Sequence, residues 1–244
     1  DEVCLKLREY GCLKYQLSLD GLKETHDYFR KPGSFDITLE KIKCLKKAGI
    51  KVAIMTTVSG TNIKEIPDII DLVVKNNVDI FAFGRYCPTS LDKSTHIEPL
   101  EYRNLLDICW QKFEQYKENH TSFNLKDHLW TLYLYEKGLI EIPDTLDENT
   151  IYDGCHCGSH HMTILPDGKI YACRRMESCV GNIQDKSLYD WFHDKEYDKY
   201  RQYDRFEKCR KCELFRFCRG CPAVTYGYSH NMYGRDPQCW KEVD

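Results

Sequence analysis

The chain has 244 residues, 42% apolar and 30% charged, with 38 acidic residues against 35 Lys and Arg for a net charge of −3. That length and apolar content suffice for a sizeable core in one large or two smaller domains and exclude disordered and collagen-like classes. Cut at residue 150, the charge is −4 before and +1 after, which is not the field of a nucleic-acid binder, and apolar runs such as Val52-Ala53-Ile54-Met55 fall far short of the roughly 20 residues that span a bilayer.

In chain order, Leu13, Tyr15, Leu17 and Leu19 alternate with polar residues, the period of a strand ending at Asp20-Gly21. A helix follows, with Asp36 as N-cap, Leu39, Ile42, Leu45 and Ala48 on one face and Gly49 as left-handed C-cap. Ile50 to Val58 reads as the next strand, Ile66 to Val74 as an amphipathic helix with Pro67 in its first turn, and Val78 to Phe83 as a third strand. Strands alternating with helices over such short connections predict parallel pairing, the unit of βα barrels and open α/β sheets. Chemistry in these folds sits at the carboxyl ends of strands. That nominates Ser18 and Asp20, Thr56 to Asn62, and Gly84-Arg85-Tyr86, although Asp20-Gly21 also reads as a plain turn and Arg85 as a surface charge. Leu106, Cys109, Trp110 and Phe113 mark a long helix, Leu125 to Leu139 another, and residues 143–149 a linker.

Nine of the 14 cysteines fall between Cys155 and Cys239, so that segment is held by disulfides or by metal. A secreted disulfide scaffold needs a signal peptide, and Asp1-Glu2-Val3 open no such segment. Bound metal in a cytoplasmic chain is the expectation. The chain also starts without Met, partway into a helix marked by Val3, Leu5 and Leu7, and reads as a C-terminal fragment. Met162 to Tyr171 predicts a hairpin turning at Asp167-Gly168, which brings Cys157 and Cys173 to the same end. Cys209, Cys212, Cys218 and Cys221 follow with two, five and two residues between them, and Cys239 comes after 17 more. Two-residue spacing turns consecutive thiolates toward one centre in both zinc sites and iron-sulfur clusters. The interval of five is tight for paired zinc ligands, and nine thiols suit two four-ligand clusters.

The stretch from Cys157 to Cys173, the Val180-Gly-Asn-Ile183 segment and the run Cys209-Arg-Lys-Cys-Glu-Leu-Phe-Arg-Phe-Cys-Arg-Gly-Cys221 followed by Cys239 resemble the seven-cysteine SPASM domain of radical S-adenosylmethionine (radical SAM) peptide and protein maturases. Cys218 and Cys221 enclose two residues where the common form has three. Gln16-Leu-Ser-Leu-Asp-Gly21, Ile54 to Val58 with Asn62, and Val78 to Pro88 resemble the last three strands of that family's six-stranded partial barrel.

The resemblance implies an α/β fold in which the C-terminal half of a partial (β/α)6 TIM-like barrel, residues 1–98, leads through a helical connector, 99–150, to a small Cys-rich iron-sulfur domain, 151–244. It implies that S-adenosylmethionine (SAM) lies near Ser18, Asp20, Thr57 and Asn62. It implies an outer 4Fe-4S cluster on Cys209, Cys212, Cys218 and Cys239, and an inner one on Cys157, Cys173 and Cys221. For the inner cluster's fourth position Cys155, Cys179 and an iron left open for substrate sulfur all compete, Cys155 foremost. The family's Cys-x3-Cys-x2-Cys loop, whose cluster cleaves SAM to a 5′-deoxyadenosyl radical, is absent from this sequence.

Of the other cysteines, Cys12, Cys44 and Cys109 read as small buried hydrophobes, Cys87 as a packing residue or one facing substrate, and His160 and His161 as packing or surface residues. The implied function is hydrogen abstraction from a ribosomally made peptide or protein, giving a thioether. A reductant such as flavodoxin or ferredoxin is the expected partner, with no nucleic acid and no membrane. Epimerisation, carbon-carbon crosslinking and a zinc-binding interaction module are the alternatives. Arg174 stands where sulfatase-maturing relatives carry a basic Asp, which disfavours that activity.

Overall fold

A computed structural model describes residues 2–89, 95–147 and 150–243, so the expected linker at 143–149 lies partly outside the described residues. The chain divides into two compact units, Asp1–Tyr86 with Lys93–Asp127, and Cys87–Asp92 with His128–Asp244.

The first unit carries α1 (Glu2–Glu9), β1 (Lys14–Ser18), α2 (Lys23–Phe29), α3 (Ser34–Lys47), β2 (Lys51–Val58), α4 (Ile66–Lys75), β3 (Ile80–Arg85), α5 (Pro99–Gln115) and β4 (Ser122–Asn124). Its strands form one sheet in the order β1-β2-β3-β4, every pair parallel. The three expected strands are therefore present, and β4 is a fourth that three residues of sequence do not announce. Ile66, Ile69, Ile70 and Val73 of α4 are buried, as the apolar stripe requires, and Pro67 sits in the first turn where no N–H is missed.

Two helix boundaries show how sequence signals resolve. At the end of α3, Ile50 N–H donates to Leu45 O at 3.0 Å and Gly49 N–H to Lys46 O at 2.9 Å, a Schellman closure around Gly49 at φ +73°. At its start the expected cap fails. The helix begins at Ser34, and the Asp27 carboxylate accepts from Gly33 N and Phe35 N, both at 2.8 Å, while Asp36 pairs with Lys23 at 2.5 Å. A cap from a neighbouring helix satisfies the same orphan N–H groups as a local one, and those backbone bonds hold the Asp27 carboxyl below its ordinary value. Arg85, read as a possible surface charge, is buried at 1% exposure against Asp127 (Nε to Oδ2 3.0 Å) with Tyr102 beneath its guanidinium.

The second unit holds α6 (Leu129–Glu136), a three-stranded antiparallel sheet of β5 (Thr163–Ile164), β6 (Lys169–Tyr171) and β7 (Cys179–Asn182), then α7 (Leu188–Phe192), α8 (Lys195–Asp198) and α9 (Pro222–Ser229). The expected hairpin is β5 and β6, and β7 adds a strand to it. Ile170, Ala172, Val180, Trp191 and Tyr197 form the core beneath. The region 99–150 is no single connector: α5 and β4 belong to the first unit and α6 to the second. No helix among the described residues is long and apolar enough to cross a membrane.

Candidate metal centres

The residues nominated at the strand ends meet, but largely to bond one another. Asp20 is buried, and its carboxylate accepts from Thr57 N at 2.8 Å and from Arg30 Nε at 2.7 Å. Asn62, fully buried, donates to Asp20 O at 2.7 Å and Thr57 O at 2.8 Å and accepts from Ser59 N at 2.8 Å. This network ties the carboxyl ends of β1 and β2 and consumes the polar groups of Asp20 and Asn62. Ser18 ends β1 half-buried, and the Thr57 side chain is exposed.

The second unit sorts its cysteines into two groups. Cys209, Cys212, Cys218 and Cys239 line one pocket, together with Lys208, Asp236 and Lys241. Among the described residues no three His, Cys, Asp or Glu side chains converge as ligands of a single ion. The four thiols instead stand around the pocket wall, as ligands of a multi-iron cluster must. Cys157 and Cys221 are buried in the neighbouring core, and Cys155, Cys173 and Cys209 are partly buried and packed against it. The structure thus brings Cys209, Cys212, Cys218 and Cys239 to one pocket and Cys155, Cys157, Cys173 and Cys221 to the neighbouring core, which Cys209 also touches. Cys179 lies elsewhere, exposed on β7 with its sulfur toward Gly181 O at 3.8 Å.

Three residues set this sorting. Gly220, at φ +60°, lies between Cys218 of the outer group and Cys221 of the inner, and a Cβ there would stand 2.4 Å from Asp236 Oδ2. Asp236, 1% exposed, accepts from Cys221 N at 2.8 Å and from Gln238 N at 3.0 Å, so one carboxylate pins the inner ligand and the turn leading to Cys239. Arg219, 3% exposed, donates to Asp153 O, Phe215 O and Cys155 O at 3.0 to 3.1 Å and binds the Cys155 loop to the Cys218 loop. A guanidinium that spends its donors on three carbonyls fixes all three backbones at once.

Burial pushes the thiols of Cys155 and Cys209 up to about 12 and raises those of Cys157 and Cys218 as well. Without a cation these sulfurs stay protonated, because each thiolate would be a buried charge beside others. A bound cationic core reverses that balance and deprotonates a coordinating thiol outright. An all-sulfur, buried donor set with Arg175 Nη1 3.8 Å from Cys221 Sγ fits an iron-sulfur cluster.

One thiol here was not among the expected ligands. Cys87 is buried in the same core as Cys157 and Cys221 and is hydrogen-bonded to Cys221. Cys4 and Cys109 are buried in α1 and α5 of the first unit.

One pocket walled by four cysteine thiols, and a neighbouring core that carries further cysteines, accompany an N-terminal parallel βα sheet. Residues 155–213 match SPASM, an iron-sulfur cluster-binding domain, and residues 1–73 match the radical SAM superfamily, together more than half of the chain. The chain belongs to the radical SAM and SPASM family. It is 29% identical over 248 residues to an AdoMet-dependent heme synthase of Methanosarcina barkeri, covering 98% of this chain and 70% of that protein. It is 26% identical to the sporulation killing factor maturation protein SkfB of Bacillus subtilis, covering 78% of this chain and 43% of that one. Streptococcus suis SuiB bound to S-adenosylmethionine shares the fold, with TM-score 0.66 at 22% identity, over 93% of this chain and 54% of SuiB. The chain thus spans about half the length of that solved structure and under half of SkfB.

Proposed function

We propose that the chain is the cluster-binding part of a radical SAM enzyme that abstracts hydrogen from an unactivated carbon of a ribosomally made peptide or protein and closes a thioether. The observation that carries this reading is the placing of the thiols in two groups, one lining a pocket and one on the neighbouring core, joined by the Gly220 and Asp236 turn. Cys209, Cys212, Cys218 and Cys239 hold the outer cluster, and Cys157, Cys173 and Cys221 with Cys155 hold the inner. Bound clusters supply one-electron transfer and, at an iron without a protein ligand, a place for a sulfur atom. The chain's own residues bind them as thiolates, keep water away and offset their charge with Arg175, Lys208 and Lys241. Thioether closure breaks one C–H and one S–H bond. One hydrogen leaves as an atom and the other as a proton together with one electron.

SkfB, named as a maturation protein, supports the peptide reading. The M. barkeri heme synthase, similar along nearly the whole chain, supports a second one in which the substrate is a tetrapyrrole. SAM binding near the strand ends, a flavodoxin or ferredoxin as reductant and a cytoplasmic location belong to either reading. Anaerobic reconstitution should load about eight irons per chain, two cubanes; stoichiometric zinc with little iron overturns the cluster assignment. Given SAM and reductant, the protein carrying this chain should yield from a Cys-containing precursor peptide a product lighter by two hydrogens. Turnover of a porphyrin with the peptide unchanged selects the tetrapyrrole.

A further inference from the structure

The core that carries Cys157 and Cys221 holds one further buried thiol, Cys87, which is hydrogen-bonded to Cys221. Cys155 and Cys173 pack against that core. Cys87 and Cys155 thus share one core with Cys157, Cys173 and Cys221, all three of them ligands under the reading above. Cys87 is also held in place. Its neighbour Pro88 packs so closely on α9 that a Cβ at Gly227 would stand 2.3 Å from Pro88 O and 2.9 Å from its Cδ. Helix α9 starts directly after Cys221, so one rigid element positions both sulfurs. Cys87 is buried at 8% exposure in the core it shares with Cys157 and Cys221.

We propose that Cys87 is an iron ligand of the inner cluster, interchangeable with Cys155 at the iron that Cys157, Cys173 and Cys221 leave over. On coordination the thiol gives its proton to solvent and forms an iron-sulfur bond, and the displaced Cys155 takes up a proton in turn, with no change of redox state. A site served by two protein thiols keeps the cluster whole when one lets go. The incoming sulfur of a substrate can then compete for that iron without iron being lost. This inference rests on the cluster assignment proposed above.

The test is a set of chains reconstituted without SAM, read by iron content and by electron paramagnetic resonance of the oxidised and reduced protein. Each of Cys87→Ala and Cys155→Ala should keep about eight irons, four at each centre, with a shifted inner-cluster spectrum. The double variant should lose one inner iron and show the signal of a three-iron cluster, its outer cluster intact and reporting that the chain is folded. The proposal is overturned if Cys87→Ala leaves the spectrum unchanged and the double variant matches Cys155→Ala alone. A wild-type chain that never assembles an inner cluster would instead refute the underlying assignment, so the two failures are distinguishable.

Discussion

Substituting alanine at Gly220 perturbs the one turn that both centres share. The residue sits at φ +60°, and an added Cβ would lie 2.4 Å from Asp236 Oδ2 and 2.6 Å from Asp236 Cβ. A left-handed alanine costs about 1 to 2 kcal/mol. Relief of the clash then pushes Asp236 away from Cys221 N–H, its 2.8 Å partner, and losing a hydrogen bond to a charged acceptor costs about 1.5 to 3 kcal/mol. Together these give roughly 3 to 5 kcal/mol, which for a chain of this size lowers Tm by roughly 6 to 20 °C. Thermal melts of the cluster-free protein under reducing conditions, followed by circular dichroism, measure that loss. Because Cys218 and Cys221 flank the turn on the outer and inner sides, reconstitution should also fall below the wild-type iron content at both centres. A variant that melts within 2 °C of wild type by this scale and loads full iron would refute the argument that this turn orients both ligands.

Three further outcomes follow from the same geometry. Asp79 accepts from Val52 N at 2.8 Å, His120 Nε2 at 2.7 Å and Lys46 Nζ at 3.2 Å. Burial opposes ionisation there, but these partners outweigh it and leave the carboxyl below its ordinary 3.8. With the folded value depressed, the stabilisation is present above pH 3.8 and is lost as pH falls through the lower folded value. Asp79→Asn should cost about 1 to 3 kcal/mol at neutral pH in urea titrations, and the gap from wild type should close in acid. Cys212→Ala should remove close to one cluster of iron, whereas Cys44→Ala, on α3, should leave iron content unaltered; equal losses would contradict the grouping of the thiols. This chain, whose 14 cysteines include no Cys-x3-Cys-x2-Cys spacing, should release no 5′-deoxyadenosine from SAM under dithionite, and product at multiple turnovers measured by chromatography would overturn that expectation.

The periodicities and spacings of the chain were enough to read the alternating strands and helices, the hairpin and the clustering of the cysteines. Each of these is local: an apolar stripe at 3.6 residues, a turn at Asp167-Gly168, a cysteine pair enclosing two residues. What escaped such reading depends on groups far apart along the chain. Asp20 looks like a turn residue until Arg30 and the Thr57 N–H close on its carboxylate, and Asp36 looks like a cap until Asp27 reaches the same N–H groups first. Strand β4 is three residues long and exists by pairing with β3, because sheet hydrogen bonds are supplied by a partner strand and not by the residue's neighbours. Cys87, just past the end of β3, reads in its own segment only as a packing residue or one facing substrate. It joins the thiols of the C-terminal motif through the seating of Pro88 on Gly227, since a metal centre gathers side chains by distance in space, to which separation along the chain is indifferent.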